Sequence, residues 1–129
     1  MAALASIRVV PFHAQVALLD AGWQSYPQWE DGTEPIAISA DGLAVGTRSD
    51  VDADGVGEVV VDVIVGAAPD GMRLVHRGSL AVGSEGIVVG SGTAELMPVA
   101  VPSGDWSVDV CVDGDRTDSV GHVVFALRK

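Results

Sequence analysis

Cysteine occurs once in this 129-residue chain, at Cys111. That excludes an internal disulfide and a zinc centre built on several thiolates. Basic residues are also scarce: 7 Lys and Arg stand against 18 Asp and Glu, for a net charge of −11. Such a surface repels nucleic-acid phosphates and anionic lipid headgroups, and it attracts cations and basic proteins. The charge therefore argues against direct nucleic-acid binding and against a membrane partner. Long apolar runs are missing as well, since no stretch approaches the ~20 residues needed to span a bilayer. The opening "MAALASIRVVPF" has Arg8 inside its apolar part and no charged head before it, which is not a secretory pattern. The expected location is the cytoplasm.

What the chain does have is valine and glycine. Hydrophobic residues make up 48% of it and charged residues only 19%, a balance that favours a folded core over disorder. Valine is stiff at χ1 and suits the pleated surface of a strand. Sixteen glycines and six prolines supply many reversals of direction. The length suits one domain, residues 1–129, with a single core.

Alternation then marks the strands. In "GEVVVDVIVGAAP", Val59, Val61, Val63 and Val65 share a face, and Glu58, Val60, Asp62 and Ile64 oppose them. "DWSVDVCVDG" sets Trp106, Val108, Val110 and Val112 against Ser107, Asp109 and Cys111, and "GHVVFALRK" aligns Val123, Phe125 and Leu127. In "FHAQVALLD", Phe12, Ala14, Val16 and Leu18 fall on one side. "EPIAISADGLAVGT" is two short runs joined by Asp41-Gly42, a hairpin turn in which glycine accepts positive φ. "MRLVHRGSLAV" and "GIVVG" flank "GSEG", which reads as another glycine hairpin. Pro98 makes "AELMPVAV" an edge strand or an interrupted one. The pattern predicts an all-β fold, an antiparallel β-sandwich of about eight to ten strands, with hairpin neighbours common.

Asp50, Asp52 and Asp54 alternate ahead of Gly55, as at the start of a calcium loop. An EF-hand also needs a bidentate glutamate at its twelfth position, where this chain has Val61. The reading is an exposed acidic connection, with weak calcium binding as the alternative and no metal site expected. His13, His76 and His122 show no metal-ligand spacing. Cys111 and His122 could meet across the last hairpin, but Asp109 and Asp113 would raise the thiol pKa. No serine sits in a G-x-S-x-G elbow, and "GVGEVV" leads into a strand rather than a helix, so it is no dinucleotide loop. No catalytic residue and no cofactor are expected, and the chain reads as a non-enzyme.

The aromatic residues are concentrated. Trp23, Tyr26 and Trp29 lie within "WQSYPQW", inside a long loop without periodicity. Rings on a sandwich loop can close an open end of the sandwich, anchor a protein contact or stack on sugars. The acidic stretches Asp50 to Glu58 and Asp113 to Asp118 are the other candidate contacts.

The order of features resembles the competence protein J type of small bacterial protein and the related uncharacterised actinobacterial β-sandwich proteins. The matching stretches are "HAQVALLD" (His13 to Asp20), "GLAVGT" (Gly42 to Thr47), "GSLAVGSEGIVVG" (Gly78 to Gly90) and "SGDWSVDVCVDG" (Ser103 to Gly114). The resemblance implies a protein that inhibits a DNA-entry nuclease by binding it, and it carries over no catalytic residue.

Residues and resemblance together lead to an acidic protein-binding module, an inhibitor or immunity-type partner of a basic protein such as a nuclease. The candidate contact residues are Trp23, Tyr26, Trp29, Asp50, Asp52, Asp54, Glu58, Asp113, Asp115 and Asp118. A carbohydrate- or weakly calcium-binding module is the alternative. A self-assembling β-protein is a third reading, pairing as a homodimer through surfaces such as Val60 and Ile64.

Overall fold

The computed structural model describes residues 2–9, 14–30, 35–47, 58–91, 95–115 and 120–129. Ten strands follow in chain order: β1 (Ala2–Val9), β2 (Gln15–Asp20), β3 (Ile36–Ser39), β4 (Gly42–Gly46), β5 (Val59–Val65), β6 (Arg73–Val82), β7 (Ile87–Ser91), β8 (Glu95–Val99), β9 (Gly104–Val112) and β10 (His122–Arg128). They form two five-stranded sheets. Sheet A runs β1-β5-β10-β9-β6 and sheet B runs β3-β4-β2-β7-β8. The all-β sandwich read from the alternation is the fold observed.

The core lies between the sheets. Val59, Val61 and Val63 of β5, Val108, Val110 and Val112 of β9, and Val123, Phe125 and Leu127 of β10 point into it from sheet A. Val16, Leu18, Leu43, Val45, Ile87 and Val89 meet them from sheet B. Period-two alternation is what puts these residues on one side of each strand. Phe125 heads the fully buried side chains by volume, at 0% exposure.

Three details differ from the expectations. Pairing is antiparallel throughout except between β5 and β10, which run parallel, Val123 beside Val61 and Phe125 beside Val63. Hairpin neighbours are fewer than expected, because among the described residues only β3–β4, β7–β8 and β9–β10 pair in sequence order. "GSEG" joins no hairpin: β6 pairs with β9 in sheet A, and β7 pairs with β2 and β8 in sheet B. The short Gly-rich link instead carries the chain from one sheet to the other. Gly86 is required there, with φ of 83° and no room for a Cβ, which would stand 2.7 Å from the Val99 carbonyl oxygen.

The Asp41-Gly42 turn does join β3 to β4 as expected, for a different reason. Gly42 is not among the residues with positive φ; a Cβ there would collide with the Leu18 carbonyl of the neighbouring strand. The first strand was not legible at all. Alternation in Ala2–Val9 is weak, and β1 is defined by its antiparallel register on β5, from Ala2 beside Val65 to Val9 beside Val59, with an irregularity between Ala3 and Ala5. Pro98 lies where a missing N–H does least harm, on β8 at the edge of sheet B.

Replacing Phe125 by Ala removes the ring that both sheets pack around. We expect this variant to lose about 3–5 kcal/mol of unfolding free energy, as measured by the denaturant midpoint at unchanged slope.

Candidate functional site

Each sheet also has an outer face, and each outer face is partly covered by a loop. On sheet B, Trp23, Tyr26 and Trp29 pack over Ala17, Leu19 and Ala44, with Val88 and Leu96 beside them. The small Ala17 and Ala44 side chains leave a shallow bed for large rings. The aromatic loop therefore lies along a sheet face rather than closing an end of the sandwich. Trp23 and Tyr26 meet edge to face with centroids 5.8 Å apart, and Trp29 Nε1 donates to Gln15 Oε1 at 2.9 Å. All three residues remain partly exposed.

Two carboxylates hold this loop down. One Asp41 oxygen accepts from the Gln24 and Ser25 backbone N–H groups, both at 2.9 Å, and from the Ser25 hydroxyl at 3.1 Å. Those donors favour the ionised form and keep its carboxyl below the ordinary 3.8. Asp20 accepts from Gly22 N–H at 3.1 Å and from Gly83 N–H at 2.7 Å, which ties the start of the loop to the link between the sheets. The Ser39 hydroxyl donates to the Ser25 carbonyl at 2.9 Å.

The acidic candidates divide. Asp50, Asp52, Asp54 and Asp118 lie outside the described residues. Glu58, Asp113 and Asp115 come together at one end of sheet A, where β5 and β10 begin and β9 ends. Val60 N–H donates to the Gly121 carbonyl, and Asp113 N–H to the His122 carbonyl. The Asp113 carboxylate accepts from the Gly121 and His122 N–H groups at 2.9 and 3.1 Å, so it also shapes the turn into β10. A narrow cleft lined by Val45 and Gly46 of sheet B, by Arg73 and Val112 of sheet A, and by Pro35 and Val120 shows that the end of β4 lies at this same end of the sandwich. Trp29, bonded to Gln15 at the start of β2, is thus nearer this acidic end than Trp23 is. Val61, where a calcium loop would need its closing glutamate, is fully buried in β5. Among the described residues no group of three or more His, Cys, Asp or Glu could hold a metal ion.

On the outer face of sheet A, loop residues Ala68 and Met72 cover Ile64, Cys111, Val124 and Ala126. Ile64, a candidate for pairing between copies, is 5% exposed and covered by its own chain. Beside them a shallow cavity of about 420 Å³ is lined in part by Arg77, Asp109, Cys111 and Arg128. Asp109 receives Arg77 Nε at 3.0 Å and Arg128 Nη2 at 3.2 Å. Burial works to raise its pKa, and the hydrogen bonds from the two guanidinium groups outweigh that, so the carboxyl stays below its usual value. The sequence offered no sign of this triad, because its members come from three strands that register alone brings together.

The Cys111–His122 pairing does not form. His122 Nε2 lies 2.7 Å from Asp62 Oδ2 on β5, and β10 separates that side from β9, which carries Cys111. Burial, then the Asp109 charge, pushes the Cys111 thiol above its ordinary value, with Arg77 opposing. No helix of the described residues is long and apolar enough to cross a membrane.

Two outcomes are expected from this geometry. Because the folded-state pKa of Asp41 lies below its unfolded value, its bonds to the loop hold in full above the unfolded value. They are lost as pH falls through the folded one. Acidification should thus shift tryptophan emission to the red at the low end of the carboxylate range, and Asp41→Asn should show part of that shift already at neutral pH. Native protein should resist thiol-modifying reagents at neutral pH, with Cys111 reacting only on addition of denaturant.

No family model matches the chain, and no curated protein does. Among solved structures, the chain is similar to the crystal structure of ComJ, inhibitor of the DNA degrading activity of NucA, from Bacillus subtilis, with a TM-score of 0.74. The match covers 98% of this chain and 96% of that one at 10% sequence identity. Identity that low means one backbone path built from largely different side chains, and the likeness is one of fold. The resemblance to the competence protein J type thus holds in three dimensions: this chain has the fold of ComJ.

Proposed function

We propose that this chain is a non-enzymatic, acidic protein-binding module, an inhibitor or immunity-type partner of a basic protein such as a nuclease. The observation that carries the reading is the fold shared with a nuclease inhibitor over 98% of the chain. Charge supports it. A nuclease groove is basic because it binds phosphates, and a partner with a net charge of −11 is attracted to such a groove over long range. The aromatic loop, with Trp23, Tyr26 and Trp29, supplies rigid and partly exposed rings of the kind that anchor protein contacts. The acidic stretches that include Asp50, Asp52, Asp54, Glu58, Asp113, Asp115 and Asp118 are the further candidates for meeting a basic surface.

The test is DNA degradation by nuclease fractions from the cell that makes this protein, titrated with the purified chain. Degradation in one fraction should fall to a plateau at a fixed molar ratio. Raising the salt from about 0.05 to about 0.5 M should weaken the inhibition roughly tenfold or more, because screening shortens the reach of the attraction. Degradation that proceeds unchanged in every fraction at a large excess of the chain would overturn the proposal.

A further inference from the structure

Lysine and arginine are absent from two long stretches of the chain, residues 9–47 and 78–115. The topology builds sheet B wholly from them: β2, β3 and β4 come from the first, β7 and β8 from the second. Every strand of sheet B, together with the aromatic loop, thus lacks a basic side chain. The parts that build sheet B and its loop carry Asp20, Glu30, Asp41, Glu85 and Glu95, while the second stretch runs on into β9 of sheet A with Asp105 and Asp109. Asp31 and Glu34 lie outside the described residues. All the basic residues that the structure describes belong to sheet A or follow it: Arg8 on β1, Arg73 and Arg77 on β6, Arg128 on β10 and Lys129 after it. Arg48 and Arg116 lie outside the described residues.

The two outer faces also treat their acids differently. On sheet A, Asp109 is paired with Arg77 and Arg128, and Asp62 is bonded to His122. On the sheet B side, Asp20 and Asp41 are held by backbone N–H groups, which satisfy the oxygens without cancelling the charge. Packed sheets stand ~10 Å apart, more than the Debye length of ~8 Å at physiological ionic strength. A partner at one outer face therefore responds mainly to that face.

We infer that the chain docks its basic partner on the outer face of sheet B, across the loop 21–30, and that the outer face of sheet A points away from the contact. This inference rests on the reading of the chain as an acidic binding module and adds the surface to it. Trp23, Tyr26 and Trp29 are already packed against the sheet, so they lose little entropy on contact. Gln24, Gln28 and Glu30 are exposed around them and form the polar rim. A basic partner approaching the outer face of sheet A would instead meet Arg8, Arg77 and Arg128.

The experiment uses nona-lysine as a probe and isotope-labelled full-length chain, with amide shifts followed by NMR. Two double variants add the same charge at exposed positions: Gln24→Lys with Gln28→Lys on the sheet B side, and Ser6→Lys with Ser79→Lys on sheet A. Shifts should cluster at residues 21–30 and 35–47. The sheet B pair should weaken binding about five- to tenfold, and the sheet A pair about twofold or less. Shifts centred on Glu58, Asp113 and Asp115, or equal losses in the two variants, would overturn the docking face and leave the acidic binding module standing. No shift anywhere at millimolar peptide would overturn both.

Discussion

The fold depends on the last strand entering the middle of a sheet. β10 lies between β5 and β9, and without it sheet A would separate into the pairs β1–β5 and β9–β6. Residues Val123, Val124, Phe125, Ala126 and Leu127 are all buried. Alternate members face the inter-sheet core and the loop-covered outer face. Such a strand is stabilised from both sides and reads as a continuous apolar run, as strands buried on both faces do. Its parallel register on β5 joins residues far apart in sequence, so forming it closes a long loop. The dense valine packing on either side is what offsets that entropy.

From that arrangement follows the role of the loops. A sandwich whose strands are apolar on both faces needs cover outside as well as inside. Loop 21–30 supplies it for sheet B with rings, and Ala68 and Met72 supply it for sheet A with smaller groups. Covering loops carry backbone N–H groups that need acceptors. Asp20 and Asp41 provide them on sheet B, so two of the acids that make this side negative are also what hold its aromatic loop in place. Structure and surface charge are thus coupled: a carboxylate that satisfies backbone donors keeps its full charge, whereas Asp109 on the other sheet is neutralised by two arginines.

Strand β9 was legible from its clean alternation, β5 and β10 from valine-rich apolar runs that follow a glycine, and β8, read from Pro98 as an edge or interrupted strand, lies at an edge. β1 was missed because Leu4 and Ala5 blur the alternation near an irregular pairing. "GSEG" misled because glycines permit a reversal without saying which sheet the next strand joins. In the candidate site, the aromatic cluster was visible in "WQSYPQW". Its bed of Ala17, Leu19 and Ala44 was not, since nothing local says that a loop will fold back over a strand.

Composition and alternation alone settled that the chain is all-β, strongly acidic and lacking a thiolate cluster, because these are additive properties of side chains and period-two spacing. Strand order, the burial of Ile64, the Arg77–Asp109–Arg128 grouping and the building of sheet B wholly from cation-free segments were settled only by folding. Each depends on pairing between distant strands, where register decides which side chains become neighbours, and no local pattern encodes that register.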